Sequence, residues 1–166
     1  MNYTIRKALI EDVEVIRKIA FETWWPTYGE ILSPEQISFM LEKIYSPNNI
    51  INELSHSDIE YLLLLEEDRR PVAFASYSPR KDEPEIFKLH KLYCLPETQG
   101  KGYGRILIDH VFEKVAAAGK IALDLNVNKY NKALGFYEKM GFKVIQEEDI
   151  PVGPYFMNDY VMRKEV

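Results

Sequence analysis

One cysteine, Cys94, is the entire thiol inventory of this 166-residue chain. An internal disulfide is excluded, as is a metal site built from several cysteines, and a reducing compartment is expected. An excess of basic charge is also missing: 21 Lys and Arg stand against 26 Asp and Glu, a net of −5 with neutral histidines. That disfavours nucleic acid, which is normally met by a basic face, and leans weakly toward a cationic ligand. Long hydrophobic runs are missing too. Apolar stretches such as Tyr61–Leu65 fall far short of the ~20 residues that span a bilayer. The opening Met1-Asn2-Tyr3-Thr4-Ile5-Arg6 has no basic-then-apolar leader. No membrane partner is expected, and a cytoplasmic location is. There is no internal repeat and no Gly/Ser linker, so one domain over 1–166 is the simplest organisation.

Apolar residues make up 46% and charged residues 28% of the chain, a globular composition. Tyr3–Lys7 reads as a short strand and Glu11–Phe21 as a helix with Val13, Ile16 and Ala20 on one face. Ser33-Pro34-Glu35-Gln36 reads as a helix start, with Ser33 as cap, Pro34 in the first position and Gln36 closing a capping box. Ser46-Pro47 starts a shorter helix ending near Ser55. Tyr61–Glu66, Val72–Ser78 and Glu85–Leu95 read as an antiparallel meander. Gly102–Ala118 is a helix with Leu107, Val111, Val115 and Ala118 facing inward, Ile121–Val127 a strand, and Asn131–Met140 a helix. Phe142–Gln146 and Phe156–Arg163 close the sheet. The order predicts an α+β fold around one mixed sheet.

The stretch Gln99-Gly100-Lys101-Gly102-Tyr103-Gly104-Arg105 joins a strand to a helix. Glycines let a ligand approach the backbone, and successive N–H groups at a helix start attract an anion, with a diphosphate the natural occupant. A Walker A loop does not fit the spacing. A dinucleotide fingerprint needs a third glycine where Arg105 stands, although Asp124 lies about 20 residues on.

Gln99-x-x-Gly102-x-Gly104 instead resembles the Q/R-x-x-G-x-G/A signature of the GNAT superfamily of N-acetyltransferases. The likeness runs over nearly the whole chain, from Ile5-Arg6-Lys7-Ala8 with Glu11-Asp12 to Phe136-Tyr137-Glu138-Lys139-Met140-Gly141-Phe142. It implies a mixed, mostly antiparallel central sheet flanked by helices. It implies acetyl-coenzyme A as co-substrate, with no metal, and a primary amine as acceptor, attacked directly in a ternary complex.

By this resemblance the backbone of Gly100, Lys101, Gly102, Tyr103, Gly104 and Arg105, preceded by Gln99, would hold the diphosphate. Leu92, Tyr93 and Cys94 would pair with the pantetheine arm on a strand that splays from its neighbour. A backbone N–H near Cys94 would polarise the thioester carbonyl. Asn131 would contact the pantetheine arm or serve only as a helix cap, with Asn128 as substitute. Tyr137 would be the general acid, or a core aromatic, or both. Some relatives carry a base where this chain has Asn126. His90, four residues before Cys94 and on its face if the strand alternates, is the candidate base or water relay. Cys94 is read as a small core residue rather than a nucleophile.

The acceptor pocket would lie along Trp24-Trp25-Pro26-Thr27-Tyr28-Gly29-Glu30, where Trp24, Tyr28 and Glu30 could receive an amine by cation–π contact and charge, or the rings could simply pack between helices. Phe21–Tyr28 and Ser33–Leu54 faintly resemble bacterial polyamine acetyltransferases. Acetylation of a protein N-terminus or an amino acid is the alternative acceptor. A non-catalytic coenzyme A-binding module is the alternative class, and a homodimer is left open.

Overall fold

The computed structural model describes residues 2–166. Its seven strands form one sheet in the order β1-β2-β3-β4-β5-β7-β6. The strands are β1 Tyr3–Lys7, β2 Glu60–Glu66, β3 Pro71–Pro79, β4 Ile86–Cys94, β5 Ala122–Asn128, β6 Lys143–Val152 and β7 Tyr155–Glu165. All neighbours run antiparallel except β4 and β5. The helices are α1 Val13–Tyr28, α2 Pro34–Ile44, α3 Pro47–Ser55, α4 Tyr103–Ala117 and α5 Ala133–Lys139. The expected mixed, mostly antiparallel sheet flanked by helices is what forms.

Local chemistry explains the elements that were foreseen. Ser33 and Ser46 each accept a hydrogen bond from the backbone N–H three residues on, with Pro34 and Pro47 in the first helical position. Ahead of α1, Arg6 grips Asp12 through two hydrogen bonds of 2.8 and 2.9 Å, and Asp12 also accepts the Leu9 N–H. The Arg6 guanidinium holds the Asp12 carboxyl below its ordinary range, and the pair fixes how the first strand enters the first helix.

Four expectations change. The first helix runs on past Phe21 to Tyr28, because Trp24 and Tyr28 bury a further turn against Tyr45 and Tyr93. Pro26 is tolerated there on the exposed side. Gln36 does not close a capping box; its amide donates 2.8 Å to the Phe156 carbonyl, tying α2 to the β6–β7 hairpin. Ala118 is exposed and caps α4 instead of packing inward. The last two strands are much longer than expected and meet at Gly153-Pro154, where Gly153 adopts φ 60°.

The core lies between the sheet and its helices, with Ile16, Ile37, Leu63, Phe74, Leu107 and Val111 fully enclosed. Truncating such a side chain to alanine costs about 2–5 kcal/mol. Asp124, only 1% exposed, is clamped by Arg80 at 2.9 Å and by Arg163 at 2.7 and 3.0 Å. It ties β5 to β7 and to the end of β3, and so has a structural task rather than a nucleotide-binding one.

One departure from regularity positions the site. β4 and β5 pair only from Ile86–Leu89 to Ala122–Leu125. Beyond that β4 follows β3 as far as Cys94 while β5 follows β7 to Asn128. The two central strands splay apart and open a cleft.

Candidate active site

The cleft encloses about 890 Å³, within the range of small-molecule sites. One wall is β4 from Leu89 to Cys94; the other carries Leu125–Val127, Asn131, Phe136 and Tyr137; one end is the glycine turn and the other is the end of α1 with the residues that follow it, Thr23 to Ile31.

A short 3-10 turn, Pro96–Thr98, leads out of β4 and is fixed by the buried Thr98 hydroxyl, which donates to the Leu95 carbonyl at 2.7 Å. Gly100 and Gly102 then take φ of 88° and 81°, conformations that L side chains rarely adopt, and a Cβ at either would point into open space. The first helical bond of α4 is donated by Ile106 to Gly102. The N–H groups of Tyr103, Gly104 and Arg105 precede it and are available to an anion. The turn therefore fits a diphosphate.

Lys101 corrects the expected cradle. Its backbone N–H is taken by the Thr98 carbonyl. Its ammonium turns away from the cleft to Glu66 at 2.8 Å, where the Tyr103 hydroxyl also donates at 2.6 Å. These two partners hold the Glu66 carboxyl at about 2, and Glu66 pushes the Tyr103 phenol up to about 12. Lys101 and Tyr103 anchor the turn to the end of β2.

Leu92, Tyr93 and Cys94 line the β4 wall. Tyr93 meets the Tyr28 hydroxyl at 3.2 Å across the floor. Burial pushes the Cys94 thiol up to about 11, so about one thiol in 10⁴ is thiolate at neutral pH. Tyr137 packs its ring on Phe136 and Phe142 at 5.2 and 6.0 Å and also lines the cleft. Burial raises its phenol, and Tyr28 and Cys94 are near enough to add to that rise, so it carries its proton at neutral pH. Asn131 lines the cleft while its side chain accepts the Ala133 N–H at 2.9 Å, starting α5. Asn128 is used up in the same turn, accepting the Tyr130 N–H at 2.9 Å.

His90 lines the cleft, but not as alternation predicts. The β3–β4 register jumps so that Ser76 faces Lys91 and Tyr77 faces Leu89, leaving His90 as a bulge residue. The bulge breaks the period that would align it with Cys94. Its Nε2 is within 2.6 Å of the Ser78 hydroxyl, whereas Cys94 Sγ lies toward Gly104. The residue as a whole is open to solvent. Its ring is nevertheless crowded by protein, and this desolvation, then Lys91 and Lys88, push it down to about 4.

At the α1 end, Tyr28 and Glu30 line the cleft and Trp24 does not. Trp24 is 3% exposed and packs on Tyr28 and Tyr45, so it supports the pocket from behind. Tyr130 and Asp159 escaped the sequence reading. Tyr130 is an exposed aromatic on the rim, and Asp159 is a buried acid beside the cleft residue Asn126. No local pattern marks either.

A domain model described as "Acetyltransferase (GNAT) domain" matches residues 58–144, more than half of the chain and the whole of β2 to α5. The chain belongs to the GNAT acetyltransferase family. A spermidine N(1)-acetyltransferase of Thermoplasma acidophilum is 29% identical over 169 residues, covering 99% of this chain and 98% of that one. The solved structure of PaiA N-acetyltransferase from the same organism, in complex with coenzyme A, superposes with a TM-score of 0.85 at 30% identity over the whole of both chains. A GCN5-related N-acetyltransferase of Rhodopseudomonas palustris reaches 0.85 at 21% identity, covering 100% of this chain and 97% of its own, a likeness of fold. As a GNAT acetyltransferase the chain has its signature turn on α4 and its second motif on α5, on facing sides of the splayed strands. Among the described residues no helix is long and apolar enough to cross a membrane.

Proposed function

We propose that this GNAT enzyme moves an acetyl group from acetyl-coenzyme A to a primary amine of a small polyamine, by direct attack while both are bound. The observation that carries the reading is the splayed cleft: it joins the glycine cradle of α4 to Tyr137, with Cys94 between them on β4. Similarity to a spermidine N(1)-acetyltransferase over the full length supports the acceptor, as does Glu30 at the α1 end.

Coenzyme A presents the acetyl group as a thioester. The neutral amine attacks the carbonyl carbon, the N–C bond forms, and the C–S bond breaks. A β4 backbone N–H near Cys94 stabilises the oxygen that gains charge. Tyr137 gives its proton to the leaving sulfur and recovers one from solvent. The amine proton leaves through water. With its pKa near 4, His90 is a poor base at neutral pH and serves to pass protons along with Ser78.

The test is free-thiol release from acetyl-coenzyme A against a panel of polyamines, monoamines, amino acids and N-terminal peptides. Polyamines should show the highest kcat/KM. Preference for peptides would replace the acceptor, and coenzyme binding with no turnover of any amine would favour a binding module.

A further inference from the structure

Asn126 is the first residue of β5 beyond the last β4–β5 pair, Leu89 with Leu125. It stands where the two central strands begin to part, and it lines the cleft. Its side chain is held from behind. The amide nitrogen donates to Glu148 of β6 at 3.1 Å and, at a longer 3.4 Å, to Asp159 of β7. Those two acids face each other across the β6–β7 ladder. Ionised carboxylates only accept hydrogen bonds, so two of them at one end of an amide fix that end as the nitrogen. The hairpin carrying both is pinned to α2 by the Gln36–Phe156 bond and by Phe39 against Tyr155.

The amide oxygen is what remains. Asn126 enters side-chain hydrogen bonds only as a donor. Among the described residues, the sealed side-chain atoms without a partner are Trp24 Nε1, Ser76 Oγ and Asp159 Oδ1. Asn126 Oδ1 is not one of them, so it is unpartnered yet open, on a half-buried residue of the cleft wall. The polar side chains that β4 brings to the same stretch are already engaged, His90 with Ser78 at 2.6 Å and Lys91 with Glu53 at 2.9 Å.

We propose that Asn126 Oδ1 accepts an N–H of the attacking amine and so aims its lone pair at the thioester carbon. The inference rests on the direct attack described above and names a residue that steers it. A neutral primary amine has two N–H donors and one lone pair, so fixing an N–H restricts where the lone pair points, and orientation of this kind is a large part of rate. A carboxylate in direct contact would favour the ammonium form, which cannot attack. A neutral carbonyl oxygen orients the nitrogen without that penalty. Asn126 exchanges no proton. As the N–C bond forms and the C–S bond breaks, one N–H proton leaves through water, and the amide product keeps the N–H that Asn126 holds.

The experiment is single-turnover acetyl transfer to saturating spermidine by the parent, Asn126→Leu and Asn126→Asp, with coenzyme A binding by calorimetry as the check on folding. Leucine keeps the size and removes the oxygen, whereas aspartate keeps an oxygen at the same reach. Asn126→Leu should slow transfer about 10–100-fold with coenzyme affinity unchanged, and Asn126→Asp should stay within about fivefold of the parent. Transfer by Asn126→Leu at the parent's rate overturns the proposal. Equal slowing by both variants also overturns it, since the amide would then only tie β5 to the hairpin. If Asn126→Leu does not bind coenzyme A, Glu148→Ala decides, because it leaves Asn126 in place and loosens its hold. Slowing of about two- to tenfold supports the proposal, and none overturns it. A parent that acetylates propylamine but not spermidine overturns the polyamine reading alone, and propylamine, with the same kind of attacking nitrogen, then serves as the acceptor. A parent that acetylates neither overturns the proposed function and this inference together.

Discussion

The coenzyme end of the cleft is made of backbone from one continuous segment, Gln99 to Arg105, set by two left-handed glycines. The far end of the cleft is made of side chains from the end of α1 and from β5, with Glu30 just beyond the helix, brought together only by the completed sheet. A diphosphate is recognised by N–H groups that any residue supplies, so the local requirement is for glycine, and glycine is visible in sequence. A cationic amine would instead be met by a side chain such as Glu30, whose neighbours are decided by the fold and not by local sequence. Asp124 and Asp159 are alike as letters, yet the fold sets two arginines beside Asp124 and an amide, Asn126, beside Asp159.

The largest expected effect is at the junction of the two ends. Tyr137→Phe keeps the ring against Phe136 and Phe142 and removes the proton donor. Single-turnover transfer should slow about 10²–10⁴-fold with coenzyme binding unchanged. A variant as fast as the parent would reduce Tyr137 to a core aromatic. Next, Gly102→Asp places a side chain and a negative charge in the cradle at φ 81°. Coenzyme A affinity should fall at least about tenfold while polyamine binding holds. Calorimetry with each ligand in turn reads both, and loss of the two together would mean that the ends are not separable.

The third effect is a pH profile. Since His90 is pushed down to about 4, it is neutral throughout pH 5–8, and kcat/KM should carry no inflection there that His90→Gln removes. An inflection near 6.5 that vanishes in the variant would make His90 the base. The smallest effect is at Glu30, which is exposed. Glu30→Gln should raise spermidine KM by about two- to fivefold, as for a solvated ion pair, and the difference should fade with salt.

This contrast also explains what could be read beforehand. Helix starts at Ser33 and Ser46, the meander, the glycine turn and the helix containing Tyr137 are local patterns, and all can be read from the residues. The run of α1 through Trp24 and Tyr28 does not show in the sequence because packing on Tyr45, just past α2, and on Tyr93 of β4 overrides a proline on the exposed side. The long β6–β7 hairpin was missed because Glu147-Glu148-Asp149 is poor in strand formers, and pairing to β7 alone makes it a strand. The bulge at His90 is a product of β3–β4 register and leaves no trace in a single strand. Lys101 reads as part of the cradle from sequence because its partner, Glu66, lies on a strand 35 residues away.

Direct transfer from thioester to amine is the centre of the account. Rapid-quench single turnover, with enzyme in excess over acetyl-coenzyme A, tests it most directly when free thiol, acetylated spermidine and intact protein mass are followed together. Thiol and acetylspermidine should appear at one rate, only when spermidine is present, with the protein mass unchanged and Cys94→Ala behaving as the parent. Thiol release that precedes product, accompanied by an acetylated protein that Cys94→Ala abolishes, would contradict direct transfer.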